Sequence, residues 1–269
     1  VVFDGLIKKI IKNKWARRLS LATFLVFTTL PTIEGNIANA EIFMILPTIT
    51  GVSILVTGMK KKLSNWMYLL AGGLFSLAVL FKVPALFEFL GLGLFLMVMI
   101  NKNLKGVLAS LKEVRWWVVL IGFLIPIVFS LAYYWLRGAG QEYLVAAFLQ
   151  NVGYLSSWRT GSITKSGAST QSGLALRGAL LLLAMGVFWV MGKKLDWKYK
   201  MVWTWFGFSL FGALLSERPY PHYLIQPIVP LAILISYFLF GRRKVMKLVV
   251  FGVGLISGFY YYQIKFWYY

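Results

Sequence analysis

Long apolar runs separated by short clusters of lysine and arginine constrain this chain more than any other feature of its sequence. Hydrophobic residues make up 59% of the 269 residues, and charged residues make up only 13%. A soluble domain carries roughly 25% charged residues, so this chain has too few polar groups to cover a water-exposed surface. The pattern therefore predicts an all-α integral membrane protein whose apolar runs are transmembrane helices.

The apolar runs predict a single transmembrane domain over residues 1–269, a bundle of about nine transmembrane helices. The stretch Trp66–Ile100 is interpreted as two helices, because one helix would be ~52 Å long and a bilayer core is ~30 Å thick. Lys82 and Pro84 supply the break between them. The predicted spans are Leu19–Ile33, Ile42–Gly58, Trp66–Phe81, Pro84–Ile100, Trp116–Leu136, Leu174–Gly192, Met201–Leu215, Tyr223–Phe240 and Leu248–Ile264.

The loops between these spans predict which end of the bundle faces the cytoplasm. Basic residues fall into two alternating sets, and one set holds about three times as many as the other, as the positive-inside rule requires. We therefore predict a multi-pass protein of the cell (plasma or inner) membrane with a cytoplasmic N-terminus. Most carboxylates and the only histidine, His222, fall on the external side. The cytoplasmic set lies in residues 8–18, 60–62, 102–115, 193–200 and 242–247.

The remaining composition narrows the classes of partner and cofactor. In a soluble protein the net charge of +20 would suggest a nucleic-acid ligand, but basic clusters between apolar runs are typical of loops on an anionic membrane leaflet. We expect no nucleic-acid partner. The absence of cysteine excludes disulfides and thiolate metal sites, and a single histidine excludes a multi-histidine site, so no metal ligands are predicted. A divalent cation held by carboxylates stays an open alternative.

Two external turns carry most of the polar side chains. Between the first two spans, Glu34, Asn39 and Glu41 could supply a general base, bind a divalent cation or hold sugar hydroxyls. The alternative is a polar turn in which a glutamate caps the next helix. Between the seventh and eighth spans, Arg218 suits a phosphate and His222 could donate to a phosphate oxygen or carry a proton. The alternative there is an ordinary interfacial loop.

Lys82 and Glu88, on either side of Pro84, form a third candidate pair. A charged side chain deep in the membrane costs about 2.5–3.5 kcal/mol on insertion scales, so such residues often mark function. Both side chains could instead extend toward the interface from a helix end and have a structural role. The longest external loop, residues 137–173, contains the segment Gln141–Trp158, which is apolar and aromatic enough to lie as a helix in the outer interface.

Three segments, each made of one of these turns and part of the neighbouring spans, follow one another in an order seen in a known enzyme family. They read GNIANAEIFMILPTITG, AVLFKVPALFEF and RPYPHYLIQPIVPLAIL. Together they resemble bacterial polyprenyl-phosphate-sugar-dependent glycosyltransferases of the protein-mannosyltransferase and aminoarabinose-transferase-like branch of the glycosyltransferase C superfamily. The resemblance covers most of the chain. It implies an inverting enzyme that moves a sugar from a polyprenyl-phosphate carrier to a protein, lipid or glycan acceptor on the external face.

The same resemblance implies roles for individual residues. Glu41 matches an acidic position near the acceptor or sugar, and the segment 141–158 would cover the active-site cavity. The family's principal catalytic aspartate lies in the loop between its first two spans, which has no counterpart here, so an N-terminally truncated chain is expected. The catalytic candidates are Glu41 and Glu34, and the substrate-binding candidates are Asn39, Lys82, Arg218, Tyr220 and His222.

Two other functions stay open on the sequence. An O-antigen-ligase or polymerase-like enzyme also combines many helices with a large external loop bearing arginine and histidine, although Arg137 and Arg159 are widely spaced here. A transporter would have charged or broken helices near the bilayer midplane and an internal repeat between its halves. The sequence contains no such repeat, and its polar residues gather at the external ends of the spans.

Overall fold

The computed structural model of the protein describes residues 1–100, 114–149, 169–191, 195–215 and 220–240. All regular secondary structure in these ranges is helical. Short 3-10 turns at Pro31–Ile33 and Pro221–Leu224 precede two of the helices, and a π turn at Val145–Leu149 follows another. The helices are α1 (Val2–Ile10), α2 (Lys14–Thr29), α3 (Ala40–Gly58), α4 (Asn65–Phe81), α5 (Ala85–Ile100), α6 (Val114–Leu136), α7 (Gly140–Leu144), α8 (Ser169–Met191), α9 (Trp197–Ala213) and α10 (Ile225–Phe240).

Three segments of the described chain are long and apolar enough to cross a membrane, namely Ala40–Gly58, Arg115–Leu136 and Pro221–Phe240. Shorter apolar helices lie at Asn65–Phe81, Ala85–Met97 and Gly178–Val190. The prediction of an all-helical chain with membrane-type helices is confirmed for these ranges. The count of about nine spans stays a prediction. The ninth predicted span and the second half of the segment 141–158 lie outside the described residues.

The predicted break in the stretch 66–100 is confirmed. Helix α4 ends at Phe81 and α5 begins at Ala85, with Lys82 in an extended conformation between them. Pro84 disfavours helical geometry at the residue before it, so the chain turns at this point instead of continuing as one helix. The turn is closed by a hydrogen bond in which the backbone N–H of Ala85 donates to the carbonyl oxygen of Lys82 at 3.0 Å.

Several helices begin earlier than the apolar runs indicated. Helix α2 starts at Lys14, five residues before the predicted start at Leu19, because the side chain of Asn13 accepts hydrogen bonds from the backbone N–H groups of Trp15 and Ala16. Helix α9 starts at Trp197 in the same way, since Asp196 accepts from the backbone N–H of Lys198 at 3.1 Å. Capping side chains, and not the start of hydrophobicity, therefore fix these ends.

The start of α8 and the end of α2 also differ from their predicted positions. Helix α8 begins at Ser169, inside the predicted loop 137–173, since serine and threonine are as frequent at the start of a helix as in a loop. Helix α2 ends at Thr29, before the predicted end at Ile33. Pro31 restricts the preceding residue to an extended conformation, which Leu30 adopts.

An N-terminal helix, α1, was not predicted from the apolar runs. Its buried residues Phe3, Leu6, Ile7 and Ile10 recur at helical spacing and form one apolar face. The Lys9 ammonium donates to both oxygens of Ser53 and to Thr57 of α3, at distances between 2.8 and 3.1 Å. Burial, followed by repulsion from the nearby Lys60 and Lys61, lowers the pKa of the Lys9 ammonium below its ordinary value.

Other segments predicted to lie on the cytoplasmic side are found at the same end of the bundle as α1. The Lys60 ammonium donates to the carbonyl oxygen of Lys9 at 2.6 Å. The hydroxyl of Tyr237, near the end of α10, donates to the carbonyl oxygen of Ile10 at 3.1 Å. The N-terminal helix, the loop after α3 and the end of α10 therefore meet at one end of the molecule.

Helices α4 and α6 pack in direct backbone contact. A Cβ atom added at Gly72 would lie 1.9 Å from the carbonyl oxygen of Val119, and one added at Gly122 would lie 2.0 Å from that of Leu69. Only glycine allows this approach, which is a recurrent way of packing membrane helices. Phe89 of α5 stacks on Phe123 of α6, with ring centres 4.3 Å apart, and thus joins a third helix to the pair.

Candidate functional site

Four of the ionisable side chains singled out from the sequence meet at the other end of the bundle. They are Glu34, Glu41, Lys82 and His222, from three turns that are distant in sequence. The Lys82 ammonium forms an ion pair with Glu41 Oε1, and His222 Nδ1 contacts Glu34 Oε2. His222 Nε2 lies 3.9 Å from Glu41 Oε1. We call this group of four side chains the polar cluster.

The turn between α2 and α3 gives Glu34 an unusual backbone conformation. Glu34 has φ 57° and ψ 28°, in the left-handed region that residues with a Cβ atom rarely adopt. Gly35, next to it, packs so closely that an added Cβ would lie 2.5 Å from the carbonyl oxygen of Thr28. The Asn39 side-chain amide donates to the carbonyl oxygen of Glu34 at 2.9 Å. Asn39, a predicted substrate-binding residue, thus holds the Glu34 backbone in this structure.

Glu41 lies in the first turn of α3 and is only 1% exposed. A negative charge near a helix N-terminus is favoured by the helix dipole, and the ion pair with Lys82 compensates its burial further. Lys82 is less enclosed, with a side chain 21% exposed. Burial lowers the pKa of the Lys82 ammonium, and the nearby Glu41 carboxylate opposes that shift. The pair therefore keeps two opposite charges together at the edge of the apolar core.

Aromatic rings enclose the basic members of the polar cluster. The Lys82 ammonium lies 3.8 Å from the centre of the Tyr223 ring, within range of a cation–π interaction. Tyr220 stacks on the imidazole of His222 with ring centres 5.4 Å apart, and Tyr223 meets the same imidazole edge-on at 4.8 Å. The 3-10 turn Pro221–Leu224, begun by a proline at its first position, brings these rings together. Tyr220, a predicted substrate-binding residue, thus adjoins the cluster.

Arg218, the remaining predicted phosphate-binding residue, lies outside the described residues. Within the described ranges no group of three or more histidine, aspartate or glutamate side chains is arranged to hold a metal ion. The ammonium of Lys82 lies against Glu41, where a bound cation would otherwise contact that carboxylate. The chemistry available at the cluster is that of two carboxylates, one ammonium and one imidazole.

Glu88 forms a second polar group, buried between helices α5, α9 and α10. Its carboxylate accepts hydrogen bonds from Trp205 Nε1 at 3.0 Å and from the Ser209 hydroxyl at 2.9 Å. The Gln226 side-chain amide, at the start of α10, donates to the carbonyl oxygen of Pro84 at 3.3 Å. This group therefore ties α9 and α10 to the first turns of α5, next to the turn that carries Lys82.

Trp205 and Ser209 were not identified from the sequence. They are four residues apart, which places both on one face of a helix, and this spacing is a signal that a search for polar partners of Glu88 could have used. The chain matches no protein-family model, no curated protein and no solved structure. A functional assignment therefore rests on the geometry of the polar cluster.

Proposed function

We propose that this chain is a multi-pass glycosyltransferase of the cell membrane, with about nine spans, that moves a sugar from a polyprenyl-phosphate carrier to an acceptor on the external face. The observation that carries the proposal is the convergence of Glu34, Glu41, Lys82 and His222 at one end of the helical bundle. The lysine-rich α1 and the loop after α3 lie at the opposite end.

The location of the polar cluster suits a lipid-linked substrate. A polyprenyl chain dissolves in the hydrocarbon core, while its phosphate stays at the interface between lipid and water. Lys82 follows the last residue of the apolar helix α4, so its ammonium lies at an end of that helix. An ammonium has three N–H donors, and Lys82 can contact a phosphate oxygen while it keeps its ion pair with Glu41.

The carboxylates and the imidazole suit the transfer step. An inverting transfer needs a cationic or hydrogen-bonding group beside the leaving phosphate and a proton acceptor beside the attacking oxygen. Lys82 and His222 are the basic groups of the cluster, and Glu34 and Glu41 are its acidic groups. Both kinds of group therefore lie in mutual contact, as one reaction at one site requires.

A transporter, the alternative of another class, would be favoured by a buried carboxylate that exchanges a proton or an ion. Glu88 is buried and lies within an apolar helix. Its two carboxylate oxygens are both occupied by donors from Trp205 and Ser209. Hydrogen bonds to both oxygens are typical of a structural polar group, so Glu88 supports the transporter less than the polar cluster supports the transferase.

Donor binding tests the proposal first. Purified protein in lipid nanodiscs is titrated with undecaprenyl phosphate and with undecaprenol, which lacks only the phosphate, and tryptophan fluorescence reports binding. We expect the phosphate to improve affinity about tenfold or more, because a hydrogen bond to a charged group contributes about 1.5–3 kcal/mol. Lys82→Gln removes most of this preference. The matched control Lys61→Gln, at the opposite end, retains it.

Transfer itself is measured with radiolabelled sugars linked to undecaprenyl phosphate, and release of the sugar is followed with water and with added acceptors. We expect the wild-type protein to release or transfer at least one such sugar. Equal affinity for the phosphate and the alcohol, together with no release from any donor, would contradict the assignment to this class of enzyme.

A further inference from the structure

The two nitrogens of the His222 imidazole have different surroundings. Nδ1 contacts the Glu34 carboxylate, whereas Nε2 lies 3.9 Å from Glu41 Oε1, which is beyond hydrogen-bonding distance. Within the described part of the chain, Nε2 forms no hydrogen bond. The His222 side chain is 19% exposed, so the imidazole is not fully buried.

This asymmetry indicates which nitrogen carries the proton in the neutral imidazole. An ionised carboxylate only accepts hydrogen bonds, so the contact with Glu34 requires a proton on Nδ1. In the neutral ring Nε2 then has a free lone pair and is the basic atom. A carboxylate that orients an imidazole in this way also stabilises the imidazolium that forms when Nε2 takes up a proton.

Glu41 is poorly placed for the same task. Its carboxylate is 1% exposed, and Oε1 is already in contact with the Lys82 ammonium. Protonation would neutralise this carboxylate and leave the partly buried Lys82 ammonium without an ionised partner, which is costly. Glu34 is more accessible, but its Oε2 contacts His222 Nδ1.

We propose that His222 is the general base of the reaction, that Glu34 positions it through Nδ1, and that the acceptor is therefore a neutral hydroxyl group. This inference rests on the proposed glycosyl transfer. A phosphate or carboxylate acceptor is already an anion at neutral pH and needs no base, whereas an alcohol must lose its proton as it attacks. The presence of a base therefore favours a hydroxyl acceptor over a phosphate or carboxylate acceptor.

The step balances without any further reactant. The acceptor oxygen forms a bond to the anomeric carbon of the sugar while its proton moves to His222 Nε2. The bond between the anomeric carbon and the phosphate oxygen breaks, and the polyprenyl phosphate leaves with the electron pair. His222 then returns its proton to solvent, which reaches the partly exposed imidazole.

The proton position is tested directly, because His222 is the only histidine of the chain. Protein that carries ¹⁵N-histidine and a purification tag free of histidine gives the nitrogen signals of this one ring. In the neutral ring, reached by raising the pH until the nitrogen signals stop changing, we expect the proton on Nδ1 and none on Nε2. In Glu34→Gln we expect this preference to weaken. A neutral ring with its proton on Nε2 in the wild-type protein would overturn the inference.

The role as base is tested by replacement and chemical rescue. We expect His222→Ala to slow transfer to a hydroxyl acceptor by about a hundredfold or more, and added imidazole to restore part of the rate. Binding of undecaprenyl phosphate stays within about twofold, since a base contributes little to ground-state affinity. Lys8→Gln, exposed at the opposite end, serves as the control.

The possible outcomes separate the two proposals. If the wild-type protein transfers sugar and His222→Ala does so equally fast, or imidazole restores nothing, the base is another group. If His222→Ala mainly weakens donor binding, the residue holds the phosphate instead. If the wild-type protein neither binds the phosphate nor releases sugar, the proposed function fails and the role of His222 as base fails with it.

Discussion

Lys82 connects the charged and aromatic parts of the polar cluster. Its ammonium contacts the buried carboxylate of Glu41 and the face of the Tyr223 ring. A buried ion pair contributes little net stability, but removal of one partner leaves the other without compensation. The stability of this end of the bundle therefore depends on both partners being present together.

The first prediction concerns this pair. We expect Lys82→Met to destabilise the protein by roughly 2–4 kcal/mol, because it leaves the Glu41 carboxylate buried and unpaired. The double variant Glu41→Leu/Lys82→Met recovers most of that loss, since two apolar side chains suit the same enclosed space. The free energy of unfolding of both variants is measured in detergent from the change in tryptophan fluorescence.

A surface pair provides the control for this comparison. Lys8 pairs with Asp4 one helical turn away at 2.5 Å, and its side chain is 57% exposed. Lys8→Gln is expected to change stability by about 0.5 kcal/mol or less, since exposed pairs of this spacing contribute little. A double variant no more stable than Lys82→Met alone would show that the loss does not come from an unpaired Glu41 carboxylate.

At the scale of whole helices, close packing of α4 and α6 depends on two glycines that face the partner backbone. Gly72 and Gly122 leave no space for a Cβ atom, as the carbonyl oxygens of Val119 and Leu69 lie on the opposite side of each contact. The backbone cannot move aside as a flexible side chain would. The two helices must therefore separate if either glycine is replaced.

The second prediction follows from that geometry. Gly72→Ala is expected to destabilise the protein by about 2–3 kcal/mol or more, as overpacking against backbone forces the helices apart. Gly93→Ala, on the neighbouring helix α5, has no atom within 4 Å of its new Cβ. We expect this control to be neutral or stabilising by up to ~1 kcal/mol, because alanine favours helix. Similar losses in both variants would show that the close approach is not needed.

The sequence predicted the helices better than their ends. A helix overlaps each predicted span that lies within the described residues, and the break in the stretch 66–100 followed from its length together with Lys82 and Pro84. The starts of α2 and α9 were misplaced because capping by Asn13 and Asp196 extends each helix into basic sequence. The short helix α1 was missed because its apolar residues are spaced along one face and do not form a run.

The polar cluster was predictable only in part. Its residues could be named, because charged groups beside apolar spans are unusual. Which of these residues contact one another could not be predicted. Glu34 and His222, for example, lie 188 residues apart in the sequence, and only tertiary packing brings them together. The same holds for Glu88, whose partner Trp205 lies 117 residues away and looks like any other interface tryptophan in the sequence.

For the molecule as a whole, the two ends differ in charge. One end collects Lys9, Lys60 and the N-terminal helix, and the other holds the polar cluster. In a cell membrane such a molecule is expected to insert with the lysine-rich end in the cytoplasm. The proposed reaction then takes place on the opposite, external face.

The third prediction tests this orientation, and the absence of cysteine from the chain makes it simple to carry out. Asn36→Cys, in the exposed part of the turn beside Glu34, is expected to react with a membrane-impermeant maleimide in intact cells. Lys61→Cys, in the exposed loop after α3, is expected to react only after the membrane is permeabilised. The reverse pattern would place the polar cluster in the cytosol and contradict the proposed function.

The shortness of α4 has a consequence for the surrounding bilayer. Its 17 residues, which begin after Ser64 and end before Lys82, extend only ~25 Å, several ångström less than the ~30 Å of a typical hydrocarbon layer. Lipids beside this helix are expected to compress to relieve the hydrophobic mismatch. Local thinning of the leaflet nearest Lys82 would bring its headgroup plane toward this residue, so that a phosphate arriving by lateral diffusion need not leave the membrane to reach the ammonium.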